Sequence, residues 1–304
     1  MTLANPAADL LRDAATREAV SACREITRSR AGNFYWGLSL TPEPKRSAMY
    51  AIYAWMRAAD DLVDAEWGEE PSHDRSAARQ AVDEFRAHTV EALAGRSASD
   101  GPVWRALAAV ARAYPLDIND FHGMLDGQLS DIGPRTMGTF TELDEYCRQV
   151  ASTVGCVCIA IWGYSDRRAI ELAIDRGIAF QLTNIVRDIR EDAGVGRVYL
   201  PREALERAGV TIEDLCRWDP ADRSRLVVEA MIARARSHYE ASAPLEGLIE
   251  RSCRPTLWAL TQTYRGLLER IAADPEQVVR RRVSLPLHRK VAIALRARLL
   301  GSQQ

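Results

Sequence analysis

Cysteine is scarce in this chain and poorly placed for a framework. Six cysteines (Cys23, Cys147, Cys156, Cys158, Cys216 and Cys253) serve 304 residues. They are too sparse for a disulfide scaffold and read as reduced thiols of a cytoplasmic protein. Cys156 and Cys158 form a C-x-C pair with no second pair at zinc-finger spacing, which argues against a zinc site. Long apolar runs are missing too. No stretch reaches the ~18 apolar residues of a membrane span. The nearest, VASTVGCVCIAIWGY, is shorter and broken by glycine. The first twenty residues carry Asp9, Asp13 and Glu18 and no apolar h-region, so they do not read as a signal peptide; residues 1–20 are expected at the periphery. Neither charge sign dominates, with 40 Lys+Arg against 42 Asp+Glu, which leaves no electrostatic footprint for nucleic acid. No period-two alternation persists, and no G-x-G-x-x-G follows a strand, so there is no dinucleotide-binding turn.

What the chain has in quantity is helical periodicity. Its 47% hydrophobic and 27% charged residues suit a globular protein with a sizeable core. In PEPKRSAMYAIYAWMRAADDLVDA, prolines suited to a helix start precede apolar residues at three- and four-residue steps. DRSAARQAVDEFRAHTVEAL repeats the pattern and is ended by Gly95, and SASDGP (97–102) is the clearest loop. Further helical stretches run to PLHRKVAIALRARLL, and Pro201, Pro244, Pro255, Pro275 and Pro286 stand at helix starts. There is no internal repeat, low-complexity tract or long linker. The chain therefore reads as one all-α domain over residues 1–304, a helical bundle whose mostly apolar helices need neighbours on several sides. Trp36, Trp55 and Trp162 are expected in the core or a cavity wall.

Charge is balanced overall but not locally. RAADDLVDA (57–65) sets Asp60, Asp61 and Asp64 within little more than one helical turn, with Arg57 a turn upstream. Like charges at that spacing repel, so the patch either faces water or receives a cation. A second stretch, IAFQLTNIVRDIREDAGVGRVYLP (178–201), carries an apolar stripe from Ile178 to Ile189. Gly177, Gln181, Asn184, Asp188 and Asp192 share another face, with Arg187 beside them. Burying such polar groups without partners costs roughly 1–3 kcal/mol each. Two D-x-x-x-D units result, Asp60 to Asp64 and Asp188 to Asp192. Positions i and i+4 lie about 6 Å apart along a helix, so each pair can share a hard divalent cation. Mg²⁺ takes oxygen ligands, keeps several waters and is completed by substrate phosphates. The two acidic helices therefore read as halves of a metal–diphosphate clamp. A di-iron site would call for Glu-x-x-His units, and His122, His238 and His288 stand far from both motifs.

With these residues in view, the chain resembles the squalene and phytoene synthase family from about Arg30 to Lys290. YAIYAWMRAADDLVD looks like the family's first aspartate-rich motif, and QLTNIVRDIREDAGVGRVYLP like its second with the flap that follows. EYCRQVASTVG (145–155) resembles a third segment, which lines the reaction cavity, and MLDGQLSD a fourth. The resemblance implies an isoprenoid-synthase fold and head-to-head condensation of two prenyl diphosphates. Asp60, Asp61, Asp64, Asp188 and Asp192 would hold Mg²⁺, or Mn²⁺ in its place. Arg57 and Arg187 would bond phosphate oxygens, and Gln181 and Asn184 would line the same face. Tyr53 and Tyr146 are candidates to take or steer a proton, and Tyr264 would close the phosphate end. Phe34 belongs to the entry segment, Val150, Val154 and Gly155 to the cavity wall, and Arg197 to the flap, where capping a helix end is its plainer role. The entry segment departs from the family. RAGNFYW has Ala31 and Asn33 where relatives often carry serine.

Fifteen residues, ~22 Å of helix, separate Ala173 from Asp188 on the same face. Ala173 therefore reads either as the closed end of a prenyl pocket or as a small packing residue. Arg280, Arg281 and Arg282 read as a solvated run or a contact for anionic headgroups, which suits transient membrane contact at the inner face. The favoured substrates are two farnesyl diphosphates, giving presqualene diphosphate or squalene. The alternative is two geranylgeranyl diphosphates giving phytoene, and a distant one is a non-catalytic assembly or lipid-binding relative. NADPH would serve only a reductive second step. The sequence leaves the oligomeric state open.

Overall fold

Period-3.6 patterning, capped by short polar side chains, decides most of the chain. The computed structural model describes residues 10, 11, 13–64, 75–96 and 101–302, without the side chains of Asn33, Asp64, Arg75 and Ser302. The SASDGP turn therefore lies largely outside the described residues. In order come α1 (Ala14–Arg30), α2 (Asn33–Leu38), α3 (Lys45–Asp64), α4 (Arg75–Leu93), α5 (Pro102–Ala113) and α6 (Ile118–Ser130). Then follow β1 (Arg135–Met137), α7 (Phe140–Cys147), a π-helical turn (Arg148–Ser152), α8 (Thr153–Trp162) and α9 (Arg168–Gly194). The chain continues through β2 (Arg197–Pro201), α10 (Arg202–Ala208), α11 (Ile212–Arg217), α12 (Ala221–Ala241) and α13 (Leu245–Leu248). It closes with α14 (Arg254–Ala273), α15 (Gln277–Arg280) and α16 (Leu287–Ser302). Asp13, Asp117, Thr139 and Thr211 accept from backbone amides at the starts of α1, α6, α7 and α11. Pro201 and Pro244 sit at N-caps and Pro255 in a first turn, where a missing amide hydrogen does no harm.

Among the described residues the molecule is all-α apart from one small sheet. β1 and β2 pair in parallel, Arg135 beside Arg197 and Thr136 beside Val198. The pairing ties the segment after α6 to the flap after α9. No helix among the described residues is long and apolar enough to cross a membrane.

Two buried apolar clusters result. One gathers α1, α3, α5, α6 and α8 around Trp55, whose indole donates to Thr89 Oγ1 at 3.0 Å and meets Phe121 edge-on at 4.8 Å. The other gathers α7, α9 and α12 with the distal half of α14. Phe180 of α9 packs against both. Ala19 and Val20 are buried, so α1 enters the core rather than lying at the periphery. Trp55 and Trp162 are interior as expected, but Trp36 is 66% exposed.

Close backbone approaches set the cavity wall. A Cβ on Gly177 of α9 would stand 2.5 Å from Ser152 Cα in the π-helical turn, and one on Gly127 of α6 would stand 2.5 Å from Val150 Cγ1. Glycine is needed where elements pass this closely. The π turn inserts its extra residue there, and Val150 and Ala151 face the interior space it borders.

Candidate active site

A cavity of about 560 Å³ lies among α3, α6, the α7–π–α8 run, α9 and α14. Of the residues singled out in the sequence, Phe34, Tyr53, Asp60, Tyr146, Val150, Val154, Gly155, Ala173, Gln181, Asn184, Arg187 and Tyr264 line it. Met56, Met124, Ile159, Leu257 and Leu260 make much of the rest apolar. Ala173 stands between the cavity and a neighbouring helix. It lines the cavity, and its carbonyl oxygen would stand 3.1 Å from a Cβ on Gly155.

The first acidic motif divides. Asp60 faces the cavity and accepts from Gln128 Nε2. Asp61 does not line it; its side chain is exposed and ion-paired with Arg57 one turn back. Asp64 ends α3, and its side chain lies outside the described residues. The second motif sits at the cavity's polar edge rather than on its wall. Arg187 Nε donates to Asp188 Oδ1 at 2.7 Å, and Arg282 Nε stands 3.1 Å from the same oxygen. Asp192 is half-buried on the next turn, where burial first and the Asp188 charge second push its carboxyl up to about 7. Arg197 does not line the cavity; its positive charge acts on Asp131 and Asp192.

Tyr146 is buried and stacked on Tyr199 of β2, with centroids 4.8 Å apart. Its hydroxyl donates to Asp131 Oδ2 at 2.8 Å, and that of Tyr199 donates to Asp131 Oδ1 at 3.0 Å. The Arg135 guanidinium lies 4.6 Å from the Tyr146 ring centroid. Burial, then the Asp131 charge, holds the Tyr146 hydroxyl well above the ordinary phenol range, so it stays protonated. Burial raises Asp131 as well, despite both tyrosine donors. Tyr264 stacks on Phe180 at 4.6 Å, and both rings line the cavity.

The donor set suits a hard cation carried with phosphate. Gln128 Oε1 and Asn184 Oδ1 are buried acceptors without a hydrogen-bond donor among the described residues, and both line the cavity. Oxygen acceptors of that kind, beside carboxylates that repel one another, fit Mg²⁺ and its waters. Among the described residues no three carboxylate, imidazole or thiol groups converge on one point, so oxygens of a ligand would have to complete the shell.

Four residues of this region escaped sequence reasoning. Gln128 and Asp131 lie in MLDGQLSD, where the segment was noticed but no side chain was chosen. Arg282, though exposed, also pairs with Asp188, while Arg280 and Arg281 pair along α15 with Glu276 and Gln277. Arg176 is 3% exposed and lines the cavity. Its guanidinium donates to Glu246, Ser242 and Thr261, with Nη1 to Glu246 Oε1 at 2.8 Å. The available signal was an arginine on an otherwise small or apolar helix face.

Comparison with known proteins agrees with this geometry. Residues 27–289 match the family described as squalene/phytoene synthase. The chain is 34% identical over 290 residues to the 15-cis-phytoene synthase of Synechocystis sp., covering 91% of this chain and 84% of that one. It is 35% identical over 276 residues to the phytoene synthase of Mycobacterium tuberculosis, covering 90% and 88%. Among solved structures it superposes on a dehydrosqualene synthase in complex with ligand with a TM-score of 0.77 at 26% identity, covering 95% of this chain and 98% of that one. The squalene synthase HpnC of Alicyclobacillus acidocaldarius gives 0.76 at 28% identity, covering 84% and 94%. The chain is a prenyltransferase and belongs to the squalene/phytoene synthase family.

Proposed function

We propose that this enzyme joins two geranylgeranyl diphosphates head to head and carries the product to phytoene. The observation that carries the reaction class is one apolar cavity lined by Asp60, Gln128, Gln181, Asn184 and Arg187. The C20 substrate is favoured over the farnesyl diphosphate expected from sequence because relatives at 34–35% identity are phytoene synthases. The dehydrosqualene and squalene synthases it superposes on are less similar, at 26–28%.

Asp60, Asp64, Asp188 and Asp192, helped by Gln128 and Asn184, are the groups that would hold Mg²⁺. Bound there, the ion supplies Lewis acidity to the leaving diphosphate. Arg187 and Arg282, already at Asp188, bring guanidinium donors to the same phosphate oxygens. Loss of diphosphate leaves an allylic cation, which the apolar wall shields from water. The C2=C3 double bond of the second chain attacks it, and loss of one proton closes a cyclopropyl diphosphate. A second ionisation, rearrangement and loss of another proton give the hydrocarbon, so no reductant is consumed. Tyr146, held by Asp131 at the cavity wall, can accept on its oxygen while passing its own proton to the carboxylate. The released diphosphate is the other available base. A hydrocarbon product needs an apolar acceptor, which suits an enzyme working at the cytoplasmic membrane surface.

The test incubates the enzyme with each prenyl diphosphate and Mg²⁺, with and without NADPH, and analyses the lipid extract by mass. The expected result is a C40 hydrocarbon from geranylgeranyl diphosphate without NADPH, stopped by EDTA and restored by Mg²⁺. A C30 product alone would replace this reading with the reaction of farnesyl diphosphate, giving dehydrosqualene where no NADPH is needed and squalene where it is.

A further inference from the structure

The described residues expose ten large apolar side chains, and five of them, Leu287, Val291, Leu295, Leu299 and Leu300, lie on α16. Four of these recur at four-residue steps and so run along one face of the helix. Leu287 is 76% exposed, Leu295 56% and Leu299 64%, while Ala297 on the opposite face is fully buried. The helix therefore docks by one side onto the body of the protein and turns a leucine stripe outward. Single exposed leucines need no explanation, but a continuous stripe does.

Charge distinguishes among the surfaces that could cover it. From Gln277 to the end the chain carries seven of its Lys+Arg residues and none of its 42 Asp+Glu. On α16 itself, Arg296 borders the stripe on one side and Lys290 and Arg298 on the other, while Arg289, two residues from both Leu287 and Val291, lies on the far side. Arg296 is held by the Trp258 ring, 5.3 Å from its centroid. A second copy laid on this face would bring like charges together. Nucleic acid would satisfy the arginines and leave the leucines wet. An anionic lipid surface satisfies both, since acyl chains take the leucines and headgroups take the guanidinium groups that snorkel beside them. The exposed Trp36 lies nearby in sequence to Ser39, which shares a surface cleft with Ala297, Arg298 and Gly301 of α16. Tryptophan suits the headgroup level of a bilayer.

We propose that α16 is a membrane-docking element that lies in the plane of an anionic bilayer, with Leu287, Val291, Leu295 and Leu299 inserted and the flanking arginines on headgroup phosphates. No part of this rests on the substrate assigned above, and its test uses no substrate. The full chain is co-sedimented with vesicles of phosphatidylcholine alone and of phosphatidylcholine mixed with phosphatidylglycerol. Binding is expected to the mixed vesicles only, and to weaken as salt rises. The pair Leu295→Glu and Leu299→Glu should lower the partition coefficient by about tenfold or more, as should Lys290→Gln with Arg298→Gln. Thermal melting should stay at the wild-type level. The proposal is overturned if the wild type ignores anionic vesicles, or if the variants bind them equally well. It is overturned too if sedimentation shows a dimer that Leu295→Glu dissociates while vesicle binding persists, because a second copy then covers the stripe.

Discussion

Asp60 and Asp188 are each held by neighbouring side chains, Asp60 by Gln128 and Asp188 by Arg187 and Arg282. Their positions are thus set by the fold itself, which is the arrangement that stabilises developing charge most effectively. Asp60→Asn and Asp188→Asn should each reduce kcat by on the order of 100-fold or more, and Asp188→Asn should also lower the melting temperature, because it removes the carboxylate that pairs the largely buried Arg187 guanidinium. Near-wild-type turnover in either variant would refute the clamp. Arg176 poses a different residue-scale question, since its charge is buried and fully committed to Glu246, Ser242 and Thr261. Arg176→Met should destabilise the fold by about 3–5 kcal/mol, because it strands the Glu246 carboxylate. Adding Glu246→Met should recover most of that loss. A denaturant-midpoint comparison of wild type, single and double variants reads both effects.

At the scale of elements, α9 meets the π-helical turn through Gly177, where a Cβ would run into Ser152 backbone atoms rather than a movable side chain. Gly177→Ala should therefore lower stability by roughly 1–3 kcal/mol and disturb Val150 and Ala151 in the cavity wall. The check is a melting curve together with the ratio of kcat/KM for C20 and C15 substrates. Most of these elements were legible in the sequence. The apolar stripe of α9 and its Gln181–Asn184 face follow from spacing alone, and Pro201, Pro244 and Pro255 mark starts that proved real. The π turn was not legible, because one extra residue in a helix leaves no compositional trace. The choice between Asp60 and Asp61 was closed to sequence for a similar reason. Adjacent positions differ by about 100° around a helix, and which one faces inward depends on how α3 lies against α6.

For the molecule as a whole, the carboxylates make stability depend on pH in an unusual direction. Burial, reinforced by Asp117, pushes Asp120 at the start of α6 up to about 7. In the unfolded chain its carboxyl titrates near ~3.9, so the folded protein holds this proton the more tightly. The resulting penalty is absent below about pH 4, grows as pH rises through the interval, and is complete above about pH 7. The metal-free protein should accordingly melt higher at pH 6 than at pH 8. Asp120→Asn should flatten that slope and stabilise the protein at pH 8 by roughly 1–2 kcal/mol after solvent screening. Melting temperatures of wild type and variant across this range decide it, and parallel curves would mean Asp120 titrates normally.

Phe180 belongs to both apolar clusters, stacks on Tyr264 and lines the cavity. The cavity is therefore a seam along which the two halves of the interior meet, bridged by Phe180 and otherwise facing a space. A prenyl tail laid in it acts as mortar. It removes the seam's apolar walls from water and links through its own carbons what the polypeptide leaves apart. In that sense the substrate is the last piece of the core.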